Sequence, residues 1–135
     1  MDDMTPDVIE MVSPLPGFEN CRRYVLMTAP DIAPFARIQG LDGSKPSFLA
    51  LPPQAVVAGF DQTLDAADRG RLGAADGEPL LWLAIVRVDP HGPNGGDRAF
   101  ANLRAPLVIN PRRMLGLQVI SADEQLSISH PLLQD

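Results

Sequence analysis

The sequence predicts a mainly β protein, a small antiparallel β-barrel-like or sandwich single domain over residues 1–135, with one short helix. Three observations carry that expectation. The 14 prolines are about twice the usual share of ~5%, and with 11 glycines they divide the chain into pieces too short for long helices. Seven or so short β-prone runs lie between these breaks. A single stretch carries helix start and stop signals.

In chain order, "VIEMV" at 8–12 reads as a first strand, stopped by the turn residues of "SPLPGFE". "CRRYVLMTA" at 21–29 follows as a longer strand, apolar on both alternating faces in its second half, so that its middle is expected to be covered on both sides. "PFARIQGLD" and "PSFLALP" read as two strands around "LDGSK", with Asp42 and Gly43 as a hairpin turn. The helix is placed at "DQTLDAADRGRLG", with Asp61 or Thr63 as cap, a stripe of Leu64, Ala67 and Leu72, and Gly70 and Gly73 limiting it to two or three turns. After "ADGEP" comes the strongest strand, "LLWLAIVRV" at 80–88. Its two faces are Leu80, Trp82, Ala84, Val86 and Val88 against Leu81, Leu83, Ile85 and Arg87. The first set is expected to face the core, because Arg87 needs water or a partner. "DPHGPNGGDR" at 89–98 reads as a loop, "MLGLQVIS" as a strand and "LSISHPLLQD" as a weaker terminal one.

Between them lies "ANLRAPLVIN" at 101–110. Pro106 has no N–H for a ladder, so this segment is an edge, a bend or two short strands meeting at a corner. Leu103, framed by polar groups, reads as an exposed or half-exposed apolar anchor. Asn102, Leu103, Arg104, Pro106 and Asn110 are therefore the candidate partner-binding residues. The competing expectation is that Asn102 and Asn110 only satisfy turn backbone.

Eleven basic against 17 acidic side chains give a net charge of −6, which repels a phosphate backbone and argues against direct nucleic-acid binding. A basic protein partner fits better. "MDDMTPDVIE" carries four acids and no base, unlike a signal peptide, and the apolar run at 80–86 is far short of the roughly 20 residues that span a bilayer. With a single cysteine, Cys21, no internal disulfide forms. A cytoplasmic protein, monomeric when free, is expected, with no heptad seam for self-association.

The chemistry available to an enzyme is thin. His91 sits in the glycine-rich loop, and His130 precedes Pro131 in extended geometry. Arg22 and Arg23 beside Cys21 would favour a thiolate, but Cys at the start of an apolar strand is ordinarily a small buried hydrophobe. Two distant histidines and one cysteine make no metal-ligand pair. "HGPNGGDR" lacks the Lys-Ser/Thr of a phosphate-cradling loop, and the acids between Asp61 and Glu78 are spaced as a solvated face. No catalytic, cofactor-binding or metal-binding residue is assigned.

Five motifs occurring in order carry a resemblance: "LPGFE" at 15–19, "PFARIQGLD" at 34–42, "ANLRAPLVIN" at 101–110, "LGLQVI" at 115–120 and "SISHPL" at 127–132. Over most of its length the chain resembles the flagellar assembly factor FliW family. It departs where the family commonly has Thr before Ala-Asn-Leu and Tyr before Ser-x-x-His-Pro, here Phe100 and Leu126. The resemblance implies a non-catalytic β-barrel-like protein acting by partner exchange. It would bind flagellin in the cytoplasm and, once flagellin is exported, the RNA-binding regulator CsrA at a surface away from its RNA site, so that flagellin mRNA is released and translated. The alternative is a flagellin export chaperone that does not bind CsrA.

Overall fold

A computed structural model describes residues 8–90 and 98–132. Nine strands join in one sheet, β1 (Val8–Met11), β2 (Arg23–Thr28), β3 (Ala36–Gly40), β4 (Ser47–Leu51), β5 (Leu81–Asp89), β6 (Arg98–Ala101), β7 (Leu107–Asn110), β8 (Leu115–Gln118) and β9 (His130–Pro131), with the helix α1 (Ala66–Arg71) between β4 and β5. The order β4-β3-β2-β1-β8-β7-β5 returns on itself because β4 also pairs with β5, which closes a seven-stranded barrel. Closure removes the open edges that would otherwise invite foreign strands. All pairings are antiparallel except β1 with β8, which run parallel through Glu10↔Leu115 and Met11↔Gly116.

Alternation along the strands sorts side chains into a lumen and an outer layer. Ile9, Tyr24, Ile38, Ala50, Leu83 and Ile109 belong to one buried cluster that fills the barrel. The lumen leaves no room for a side chain at two glycines. A Cβ on Gly116 would stand 3.0 Å from Met11 Sδ, and one on Gly40 would stand 2.8 Å from Cys21 Sγ. "LPGFE" closes one part of this core, with Leu15 buried and Phe18 edge-on to Phe48 at 5.3 Å between centroids.

The β5 expectation needs correction. Both faces are covered: Leu81, Leu83 and Ile85 point into the lumen, whereas Ala84, Val86 and Trp82 point outward beneath a second layer. That layer is the connection from Pro52 to Leu80, whose Val56, Val57, Phe60, Leu64 and Leu72 pack onto the outside of β5, β7 and β8. Val88 lies beyond this cover and is 45% exposed. Arg87 is exposed too, its guanidinium 4.6 Å from the centre of the Phe100 ring opposite it on β6.

Other local expectations shift in similar ways. β2 keeps its expected covered middle, with Tyr24 and Val25 buried on opposite faces, but Met27 beyond it is exposed. The β3–β4 connection is longer than a two-residue hairpin: the Lys45 N–H donates to the Asp42 carbonyl at 2.9 Å, and Gly43 and Lys45 both take positive φ. The helix is shorter than two turns and is capped by Asp65, whose carboxylate accepts from the Asp68 N–H at 2.8 Å. It buries none of its own residues, Ala67 included; Leu64 just before it and Leu72 at its C-cap hold it to the barrel. Gly73, at φ +66°, turns the chain away. β8 ends at Gln118, so Ile120 lies outside the strand and is 72% exposed. The loop read at 89–98 falls, for residues 91–97, outside the described residues, and His91 with it.

Candidate functional site

"ANLRAPLVIN" forms two short strands and a corner. β6 and β7 both pair antiparallel with β5, with Ala101↔Val86 on one side and Leu107↔Leu83 on the other. The five residues Asn102 to Pro106 therefore stand against only Ala84 and Ile85 of β5, an enlarged bulge that throws the chain out of the ladder. Pro106 occupies the end of this bulge, where no ladder N–H is required. The Asn102 side-chain oxygen holds the turn by accepting from the N–H groups of Arg104 and Ala105, both at 3.1 Å.

The bulge gathers the C-terminal motifs. Arg104 and Pro106 carbonyls accept from the Ser121 and Val119 N–H groups at 2.8 and 2.9 Å, and the Gln118 amide donates to the Ala105 carbonyl at 3.0 Å. The Leu103 N–H donates to the Ser127 carbonyl at 2.9 Å, and β9 then pairs with β6. "ANLRAP", "LQVI" and "SISHPL" thus meet at one place.

Two concave surfaces flank the ridge. On one side a cleft of about 360 Å³ has Val57, Phe60, Trp82, Leu103, Pro106 and Val119 among its lining, with Asp61 and Asp123 also contributing. On the other, a shallower apolar groove of about 270 Å³ runs past Phe18, Phe48, Ala105 and Ile120. The alternation of extended backbone sends Val119 and Ser121 to the cleft and Gln118 and Ile120 to the groove.

The structure sorts the five candidate residues. Leu103 is 2% exposed and packs with Leu51, Ala84, Val86 and Ala101. The expected exposed anchor is instead a core residue whose remaining surface forms cleft floor, because Val56, Val57 and Phe60 of the connection after β4, with Leu132, pack against its cluster. Pro106 is buried and lines the same cleft, and Asn102 and Arg104 are half-buried on the ridge. Asn110 is fully buried and has no surface to offer. Its amide donates to the Leu72 carbonyl at 2.8 Å, and its oxygen accepts from the Arg112 N–H at 3.0 Å, tying α1 to the β7–β8 turn.

The groups weighed for chemistry are placed apart. Cys21 is buried in the lumen, its thiol donating to the Arg23 carbonyl at 3.4 Å. His130 sits in β9 opposite Ala101. Among the described residues, no group of three His, Cys, Asp or Glu side chains is arranged to hold a metal ion. No helix of the described residues is long and apolar enough to cross a membrane. Sequence reasoning missed Val57, Phe60 and Trp82 as cleft residues; they come from separate segments, and no local pattern joins them to Leu103.

The family model described as FliW protein matches residues 1–132. This chain belongs to the FliW family. The flagellar assembly factor FliW of Thermotoga maritima is 26% identical over 121 residues, covering 90% of this chain and 79% of that protein. The flagellar assembly factor FliW of Thermoanaerobacter pseudethanolicus is 28% identical over 130 residues, covering 96% and 84%. A crystal structure of the flagellar assembly factor FliW matches with a TM-score of 0.80 at 25% identity, over 96% of this chain and 87% of that one. The barrel is thus the fold of the FliW family.

Proposed function

We propose that this FliW-family protein is a cytoplasmic, non-enzymatic regulator that binds flagellin and, when flagellin is exported, binds a CsrA-type regulator instead, freeing flagellin mRNA for translation. The observation that carries the reading is the family match over residues 1–132, joined to relatives named as flagellar assembly factors over most of their length. The net charge of −6 favours encounter with a basic RNA-binding protein by steering. In this proposal the ridge supplies part of the partner surface, through Asn102 and Arg104 on its crest and Leu103 and Pro106 in the cleft floor. Antagonism at a surface away from RNA makes RNA and this protein weaken each other's binding by the same factor.

The test mixes the purified protein with purified CsrA and purified flagellin, separately and in competition. Each partner is expected to form a complex, flagellin is expected to displace CsrA, and the association rate with CsrA is expected to fall as salt rises while dissociation changes less. Binding to flagellin alone would leave the export chaperone as the function. Binding to neither would remove the regulator.

A further inference from the structure

The cleft beside the ridge combines an aromatic and aliphatic floor with one sign of charge. Phe60 and Trp82 meet edge-on at 6.3 Å between centroids, and with Val57, Leu103 and Leu126 they give the floor its shape. Among the described residues no Lys, Arg or His belongs to the lining, whereas Asp61 and Asp123 both do. Neither carboxylate takes part in an ion pair among the described residues. Each is held in place through a single oxygen. Asp61 Oδ1 accepts from the Thr63 N–H and hydroxyl, and Asp123 Oδ1 accepts from the Gln125 N–H at 3.0 Å. Among the described residues the second oxygen of each has no hydrogen-bond donor and remains for one. The Thr63 hydrogen bonds also hold the Asp61 carboxyl below its ordinary range, so it is ionised at neutral pH.

We propose that this cleft docks a peptide segment of a protein partner in which a large apolar side chain is flanked by Lys or Arg. The volume suits one or two such side chains, falling within the roughly 300–1,000 Å³ of small-ligand sites. Apolar contact on Phe60 and Trp82 provides the anchor, and the two carboxylates select against acidic segments by leaving them repelled and desolvated. The apolar groove across the ridge has no charged lining residue among the described ones, so it lacks this selectivity. The inference rests on reading the protein as a partner-binding factor, and it names the face and the chemistry of the segment.

Trp82 is the sole tryptophan, which makes the whole chain its own reporter. A blocked peptide Lys-Leu-Leu-Arg is titrated against the protein while tryptophan emission is followed, beside the counterpart Glu-Leu-Leu-Glu. The basic peptide is expected to give a saturable change and the acidic one none. In the double variant Asp61→Asn, Asp123→Asn, which keeps the oxygens that hold both turns, the apparent affinity is expected to fall about five- to tenfold. Equal response to both peptides, no saturable response, or an unchanged affinity in the double variant overturns the proposal. A response that tracks protein concentration without peptide also overturns it, since the cleft is then filled by a second copy. The same double variant is assayed for flagellin and CsrA. Unaltered binding of both would sink this cleft as the dock while the regulatory reading stands, whereas failure of the unmodified protein to bind either would sink that reading and leave the peptide titration to decide the cleft's chemistry.

Discussion

Leu103 is the residue at which sequence and structure diverge most. Its neighbours Asn102 and Arg104 are polar, and one residue in three positions gives no clue to cover that arrives from elsewhere. In the fold its N–H is bonded to Ser127 and its side chain lies among Leu51, Ala84, Val86 and Ala101. Leu103→Ala is therefore expected to cost about 2–5 kcal/mol in urea unfolding, and Leu103→Asp to prevent folding or lower the melting temperature sharply. An Asp variant melting like the unmodified protein would return Leu103 to the surface. Asn110 read as a partner-binding or a turn residue; that its amide instead reaches Leu72 across 38 positions depends on the helix being folded back. Tyr24 is a cost inside the lumen: its buried hydroxyl has no hydrogen-bond partner among the described residues, and burial, with the Cys21 thiol beside it, pushes its ionisation up.

At the scale of elements, the junction between α1 and the β7–β8 turn is held by charge. Glu78 pairs with the Arg112 guanidinium and also accepts from the Ala75 N–H at 2.8 Å, while Arg69 donates to the Ala75 and Glu78 carbonyls. The Arg112 hydrogen bond, then that of Ala75, lowers the Glu78 carboxyl to about 2. A lowered folded-state value means that the stability it contributes is fully present above the unfolded value of about 4.3 and is lost as pH falls toward 2. In Glu78→Gln the decline in melting temperature between about pH 5 and pH 2 is expected to be shallower than in the unmodified protein. Asp42, held low by Arg23, leaves some acid sensitivity in both. Parallel curves for the two proteins would show that the pair does not couple to folding. The helix itself was legible from the stripe of Leu64, Ala67 and Leu72 and from Gly70 and Gly73, but the cap expected at Asp61 or Thr63 is Asp65, because all three side chains can cap and the local backbone decides among them.

For the whole molecule, barrel closure bears on association. Seven strands complete a ring, and β6 and β9 extend from it as a short flap whose last strand is only His130–Pro131, with little unpaired backbone for strand exchange. The free protein is expected to sediment as a 14.6 kDa monomer across a hundredfold range of concentration. A concentration-independent dimer would contradict this, and Ile120 and Ile128, at 72% and 64% exposure, would then be the first residues to replace.

The β class followed from the sequence alone, because proline and glycine act locally and a period of two needs only neighbours to be seen. The short strands at β1, β3, β4 and β7 sit where their turn residues put them, and Pro106 marked a corner because a missing N–H is a property of one residue. Local patterns could not say which face of β5 looks into the lumen, since both faces are apolar and the difference lies in what arrives against them. Nor could they place the parallel β1–β8 join or the β4–β5 closure, which pair residues far apart in the chain. The cleft belongs to the same category. Phe60, Trp82, Leu103 and Leu126 become neighbours only when the connection after β4 folds over the barrel and the chain after β8 bonds along the bulge, through contacts whose loop-closure entropy is met by burial and not by any preference written into the segments themselves.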